Sequence, residues 1–277
     1  MNRLFSSFML LLTCGFALSA GALDIHFDQD LQQGALLTGK TDAVKLSVLG
    51  RTLKPDAKGQ FVFGLGRDAE PQLEVTLVGA NGESELKRFT VLQRQYDLQE
   101  VNGVAKKYVS PPKEVSARIS EDAAEVRKAR ELDRPEVVAY QQGFKWPAQG
   151  RISGVYGSQR VFNGVPKRPH YGLDIAAPTG TPVFAPVDGL VSLAHKDMYY
   201  SGGTLILDHG RGVSSTFIHL SQLHVKLGEE VKQGQLIGEI GATGRVTGPH
   251  LDWRINWFDQ RLDPALLLPS AKPEPLP

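Results

Sequence analysis

The chain has 277 residues, with 31 Lys and Arg against 30 Asp and Glu and a formal net charge of +1. That length admits two modest domains with cores of their own. The balanced charge, without a basic patch interleaved with aromatics, excludes an electrostatic case for nucleic acid.

Residues 1–22 read as a secretory signal peptide. Arg3 is the positive start, Phe5 to Leu18 the short apolar run, and Ala20-Gly21-Ala22 an A-x-A-like cleavage site near Ala22. The only cysteine, Cys14, lies inside it, and Thr13 fits a lipoprotein signal poorly. The mature protein is therefore expected without disulfides, without a membrane span, and periplasmic or secreted.

Residues 23–108 predict a small all-β domain. Val44–Leu49, Phe61–Leu65, Leu73–Val78 and Leu86–Leu92 are β-branched or apolar runs, punctuated by Lys58-Gly59 and the hairpin signal Asn81-Gly82. Their spacing suggests an immunoglobulin-like sandwich. Asp24, His26 and Asp28 alternate on one face there, and a solvated strand is the simpler reading than a metal site. Residues 109–143 are expected to be a linker with a helix. Ser110-Pro111-Pro112 breaks the strand pattern, and 113–133 carries a thin apolar stripe of Val115, Ile119, Ala123 and Val126. Glu114–Arg118 and Arg127–Glu131 stand at i,i+4 along it. From 144 to 268 glycine is dense and short strands alternate with turns. Residues 269–277 form a Pro-rich tail, expected to be disordered.

The chemistry gathers in the glycine-rich part. His170 and Asp174 form H-Y-G-L-D, His219 lies in STFIHLSQL, and His250 and Asp252 lie in TGPHLDWRINW. In that last run, Leu251, Trp253, Ile255 and Trp257 share one strand face, and His250, Asp252, Arg254 and Asn256 share the other. A catalytic zinc takes three protein ligands from imidazole and carboxylate and keeps a position open.

In order, HYGLDIAAPTGTPVFAPVDGLV, GGTLILDHGRGVSSTFIHLSQL and GEEVKQGQLIGEIGATGRVTGPHL resemble the lysostaphin/LytM-type zinc metallopeptidases, the peptidoglycan endopeptidases, over about 146–263. The resemblance implies a glycine-rich antiparallel β-sheet peptidase domain and one zinc ion. It sets His170 and Asp174 on two zinc ligands, His219 on the assisting histidine, and His250 on the histidine beside the attacking water. Asp252 falls where relatives place a third ligand, normally histidine, and Arg254 falls where many carry glutamate. Arg160 matches a family position that orders the groove, and Tyr199 and Tyr200 are candidates to line it. His209 reads as structural, and His195 and His224 as surface residues.

The implied activity is hydrolysis of peptide cross-links in bacterial peptidoglycan by metal-activated water, with D-alanyl–diaminopimelate as the expected bond and peptide stems as the partner. The alternative is a catalytically degenerate member that regulates cell-wall amidases, contacts a divisome protein, or binds peptidoglycan without cutting. Asp252 keeps that alternative open, because it could pair with Arg254 on an exposed face and leave the site metal-free.

Overall fold

The computed structural model describes residues 22–101, 113–162, 165–166 and 168–269. The signal peptide up to residue 21, the Ser110-Pro111-Pro112 break and the tail from 270 lie outside the described residues. The chain is mainly β, as its alternating runs predict.

The first part contains β1 (Ile25–Phe27), β2 (Leu36–Thr41), β3 (Lys45–Val48), β4 (Arg51–Leu53), β5 (Gln60–Gly64), β6 (Gln72–Val78) and β7 (Ser84–Thr90). They form two antiparallel sheets, β1-β2-β5 and β4-β3-β6-β7. Buried Leu37, Phe61 and Phe63 of one sheet and Leu46, Val75 and Leu77 of the other belong to one core. The turns at Lys58-Gly59 and Asn81-Gly82 form as expected, each with its glycine at positive φ. The next strand, β8 (Leu98–Val101), leaves the sandwich and takes part in a small sheet described below.

After a short 3-10 turn at Lys113–Val115 comes α1 (Ser116–Arg130). Its stripe packs against the large sheet, where Val126 joins Ala129, Leu193, Met198 and Ile206. The two helix-surface ion pairs anticipated from spacing are not the ones formed. Arg118 reaches Asp197 at 2.9 Å, and Glu131 accepts from Arg51 at 3.1 Å. An i,i+4 pair contributes only about 0.2–0.5 kcal/mol, so a partner across a packed interface displaces it.

The remaining strands are β9 (Arg151–Gly154), β10 (Gln159–Phe162), β11 (Val165–Pro166), β12 (Leu173–Ala176), β13 (Pro182–Phe184) and β14 (Gly189–Met198). They continue with β15 (Gly202–Asp208), β16 (Val213–Leu223), β17 (Glu230–Val231), β18 (Leu236–Ile240), β19 (Leu251–Trp257) and β20 (Gln260–Leu262). A ten-stranded sheet runs β17-β14-β15-β16-β19-β12-β9, with β13, β18 and β20 paired alongside. The strand β8 pairs in parallel with β10, so residues 98–101 join the second half of the chain.

The two halves share one hydrophobic core. A Cβ on Gly64 would sit 2.7 Å from Leu262 and 2.9 Å from Trp257. The Phe63 and Trp257 rings lie 6.2 Å apart, and the Arg51 guanidinium lies 3.8 Å over the ring of Phe258. Arg94 donates to Asp263 at 2.8 Å. Among the described residues no helix is long and apolar enough to cross a membrane.

Candidate metal centre

The strand β19 sits between β16 and β12 in the sheet. Leu251, Trp253, Ile255 and Trp257 are all buried, as the alternation predicts, but Asp252 and Asn256 are buried as well. Neighbours cover both faces of the strand, so its polar side is a wall inside the protein.

Register brings the carboxylates together. Asp174 in β12 stands directly across from Asp252 in β19, so both side chains leave the same face of the sheet. His170 lies in the loop before β12. Its N–H donates to the Ser158 carbonyl at 2.8 Å, and its carbonyl accepts from Gly157 N–H at 2.8 Å. Those two bonds hold the imidazole over Asp174, with Nε2 3.2 Å from Oδ1. His170, Asp174 and Asp252 each offer a ligand atom, all within 4.8 Å of one another, and they form the one group of this kind among the described residues.

Two glycines make room for the carboxylates. A Cβ on Gly172 would lie 2.1 Å from Asp252 Oδ1, and one on Gly154 would lie 2.3 Å from Asp174 Oδ2.

Whether these residues suit a metal can be read from their unmet valences. His170 Nε2 and Asp174 Oδ1 are buried, and apart from each other, 3.2 Å away, they have no hydrogen-bond partner. Burial opposes a charge on His170, but the contact with Asp174 and the charge of Asp252 outweigh it and raise its pKa, so the two carboxylates draw positive charge to this spot, which a cation would also supply. One imidazole and two carboxylates are legitimate zinc ligands. The residues present fit the ion.

Two more histidines close the site. His219 has a left-handed backbone, φ +68°. Its N–H donates to the Ser201 carbonyl at 2.8 Å, and its Nδ1 faces the Thr243 carbonyl at 2.9 Å. A histidine that donates through Nδ1 keeps a free lone pair on Nε2. Burial pushes the His219 pKa below its usual value, partly offset by the Thr243 carbonyl, so the ring is neutral at pH 7. His250 is tied by its N–H to the Gly241 carbonyl at 3.1 Å and through Nδ1 to the Gly248 carbonyl at 2.9 Å. Its Nε2 lies 4.0 Å from Asp174 Oδ1, and its ring centre lies 4.9 Å from that of His219.

Arg254 grips Asp252 with two bonds, Nε to Oδ1 at 2.9 Å and a terminal nitrogen to Oδ2 at 2.5 Å. Burial alone would raise the Asp252 pKa, but the Arg254 charge and its hydrogen bond outweigh it and hold the carboxyl ionised, below its ordinary value. The exposed ion pair considered from sequence is therefore a buried one. Pairing also does not remove Asp252 from the ligand group, since both arrangements hold at once.

The other singled-out residues divide clearly. Tyr199 and Tyr200 pack edge to face with ring centres 4.9 Å apart, between Arg118 and Arg245. Tyr200 and Arg254 line one cavity. Arg160 belongs to β10, and its side chain lies outside the described residues. His209 is buried away from the site, bonded to the Asp188 carbonyl and to Ser215 Oγ, both at 2.8 Å. His195 accepts from the Asp197 N–H, and His224 is exposed and paired with Glu239. Asp24 and Asp28 bond to their strand neighbours, Asp24 through its N–H to Asp42 and Asp28 from Thr38. Sequence reasoning passed over the two glycines and Arg130. Arg130, the last residue of α1, is buried, yet it reads in sequence as one more charge on a solvated helix face.

A sequence model described as peptidase family M23 matches residues 168–264, which contain the three candidate ligands and both candidate catalytic histidines. Residues 168–264 thus carry a domain of the peptidase M23 type. Among curated relatives, a Vibrio cholerae protein named peptidoglycan DD-endopeptidase ShyA is 34% identical over 171 residues, covering 60% of this chain and 38% of that protein. The Caulobacter vibrioides cell division protein DipM is 34% identical over 168 residues, covering 58% of this chain and 26% of that one. The chain thus spans well under half the length of either. A crystal structure from Pseudomonas aeruginosa, described as of the M23 peptidases, superposes with a TM-score of 0.65 at 27% identity, covering 86% of this chain and 95% of its own. That overlap takes in the sandwich as well as the peptidase sheet.

Proposed function

We propose that the protein is a zinc metalloendopeptidase that hydrolyses peptide cross-links of bacterial peptidoglycan, with the D-alanyl–diaminopimelate bond as substrate. It would act outside the cytoplasm after removal of a signal peptide ending near Ala22. The observation that carries this reading is the cluster of His170, Asp174 and Asp252, whose ligand-type atoms lie within 4.8 Å of one another, with His250 and His219 beside them.

His170, Asp174 and Asp252 would hold one zinc, which would supply Lewis acidity and a more acidic water. The remaining work falls to this chain's own side chains. His250, with Nδ1 spent on the Gly248 carbonyl, presents Nε2 to accept a proton from water. His219, its Nδ1 spent on Thr243, takes that proton on Nε2 from His250, whose ring centre lies 4.9 Å away, and passes it to the leaving amine. Replacing the usual histidine ligand by Asp252 removes one positive charge from the assembly, and the guanidinium of Arg254 restores it. The Asp252–Arg254 unit therefore stands in electrostatically for a neutral imidazole. This weakens the case for a degenerate regulator, because the departure from the family pattern is compensated inside the same site.

The test is incubation of the mature protein with cross-linked muropeptide dimers. Monomers should accumulate with zinc present and fail to appear with His170→Ala. An intact dimer pool after prolonged incubation of zinc-loaded wild type sinks the reading.

A further inference from the structure

Between α1 and the sheet lies a cavity of about 450 Å³. Five arginines line it: Arg127, Arg130, Arg168, Arg254 and Arg261. Three acidic residues share its walls, and each is engaged. Glu131 and Asp259 pair with Arg51 at 3.1 and 3.6 Å, and Asp122 accepts the Tyr199 N–H at 2.7 Å. Two of the arginines are engaged too, Arg254 by Asp252 and Arg261 by the amide oxygen of Asn256 at 2.5 Å.

Arg130 is different. It is 6% exposed, its Nε has no hydrogen-bond partner, and no carboxylate pairs with it among the described residues. The charges that bear on it are those of Arg261, Arg254 and Arg168, all positive. Burial, reinforced by those charges, pushes its ionisation well below the ordinary arginine value. A guanidinium keeps its proton in proteins and is expensive to bury unpaired. Its planar fork matches a carboxylate or phosphate.

The rest of the lining selects between these. Ile119, Ala123, Val126, Met198 and Ile218 give the cavity an apolar side, which suits an aliphatic chain ending in a carboxylate better than a strongly hydrated phosphate. Arg254 both lines the cavity and holds Asp252, so the cavity and the ligand cluster share a wall. We propose that this cavity binds a free carboxylate of the peptide substrate, with Arg130 as its main partner and Arg168 and Arg261 adding charge. The proposal rests on the peptidase reading and makes the linker helix part of the substrate site.

The test compares two peptide substrates that differ only in a free or amidated terminal carboxylate, with zinc-loaded full-length mature protein. Wild type should favour the acid by at least about tenfold in kcat/KM, equivalent to about 1.4 kcal/mol. Arg130→Met should bring that ratio close to unity and raise the Tm of the ligand-free protein, since an unpaired buried cation has gone. A structural arginine would lower Tm and leave the ratio alone. Arg168→Met, on the exposed rim, should reduce the ratio by a smaller factor and serves if Arg130→Met does not fold. A ratio unchanged in both variants at equal zinc content overturns the proposal. Should wild type cleave neither substrate, the peptidase reading fails, and calorimetric titration of metal-free protein decides this one separately. Binding of the acid peptide but not the amide upholds it. Equal binding of the two, or binding of inorganic phosphate in preference to the acid, overturns it.

Discussion

At Asp252 two requirements meet. A carboxylate is shorter than an imidazole, so it must be brought close to the other ligands, and it carries a charge that burial disfavours. Gly172 answers the first by leaving out the Cβ that would occupy the place of Asp252 Oδ1, 2.1 Å away. Arg254 answers the second. Gly172→Ala should therefore lower zinc affinity by on the order of 10–100-fold, the usual effect of disturbing a ligand's support, while circular dichroism stays as in wild type. An unaltered affinity means that Asp252 sits elsewhere. Arg254→Met leaves a buried carboxylate unpaired and should cost about 3–5 kcal/mol in EDTA-treated protein. Zinc should narrow that deficit because it neutralises the same oxygens. Equal deficits with and without zinc, in denaturant titrations, would show that the ion does not reach Asp252. That His170, Asp174 and Asp252 come together was legible in the sequence only through the family resemblance that H-Y-G-L-D and G-P-H-L-D carry. The glycine and arginine that make Asp252 workable were not, since close approach across strands leaves no local trace.

The elements around the site owe their order to the sheet. The apolar alternation of β19 was readable, and so was the apolar stripe of α1. A helix lying on a domain surface was readable too, but not that α1 packs on β14 and β15 and roofs a cavity reaching β16 and β19, because a charged helix surface looks the same whether it faces water or a second layer. The turn between β15 and β16 offers a separate test. His209 is buried there as a neutral ring, and burial pushes its pKa down to about 4. Its folded pKa lies below the unfolded value of about 6.5, so the folded state binds fewer protons. Its stabilising contribution is complete above about pH 6.5 and is lost as pH falls towards 4, about 3 kcal/mol in all. His209→Asn should flatten the decline in unfolding free energy between pH 7 and 4. A decline as steep as that of wild type would rule out His209 as its source.

Across the whole molecule, the sandwich and the peptidase sheet form a single core rather than two units on a tether. The sequence suggested a linker because its Pro-Pro break and charged helix resemble one. The contacts that fuse the halves, such as Phe63 on Trp257 and Gly64 on Leu262, join residues nearly two hundred positions apart. All three tryptophans, Trp146, Trp253 and Trp257, lie in the second half. Phe63→Ala, in the first half, should cost about 3–5 kcal/mol and move the tryptophan-detected unfolding transition with it. A tryptophan transition that stays in place would mean the halves unfold independently.

The peptidase reading stands or falls on Asp252 holding zinc while Arg254 grips it. Metal analysis of purified mature protein tests this most directly. Wild type should carry about one zinc per chain, the content of a single catalytic site, and Asp252→Ala little. Zinc retained at the wild-type level in Asp252→Ala, or absent from wild type after saturation, would contradict it.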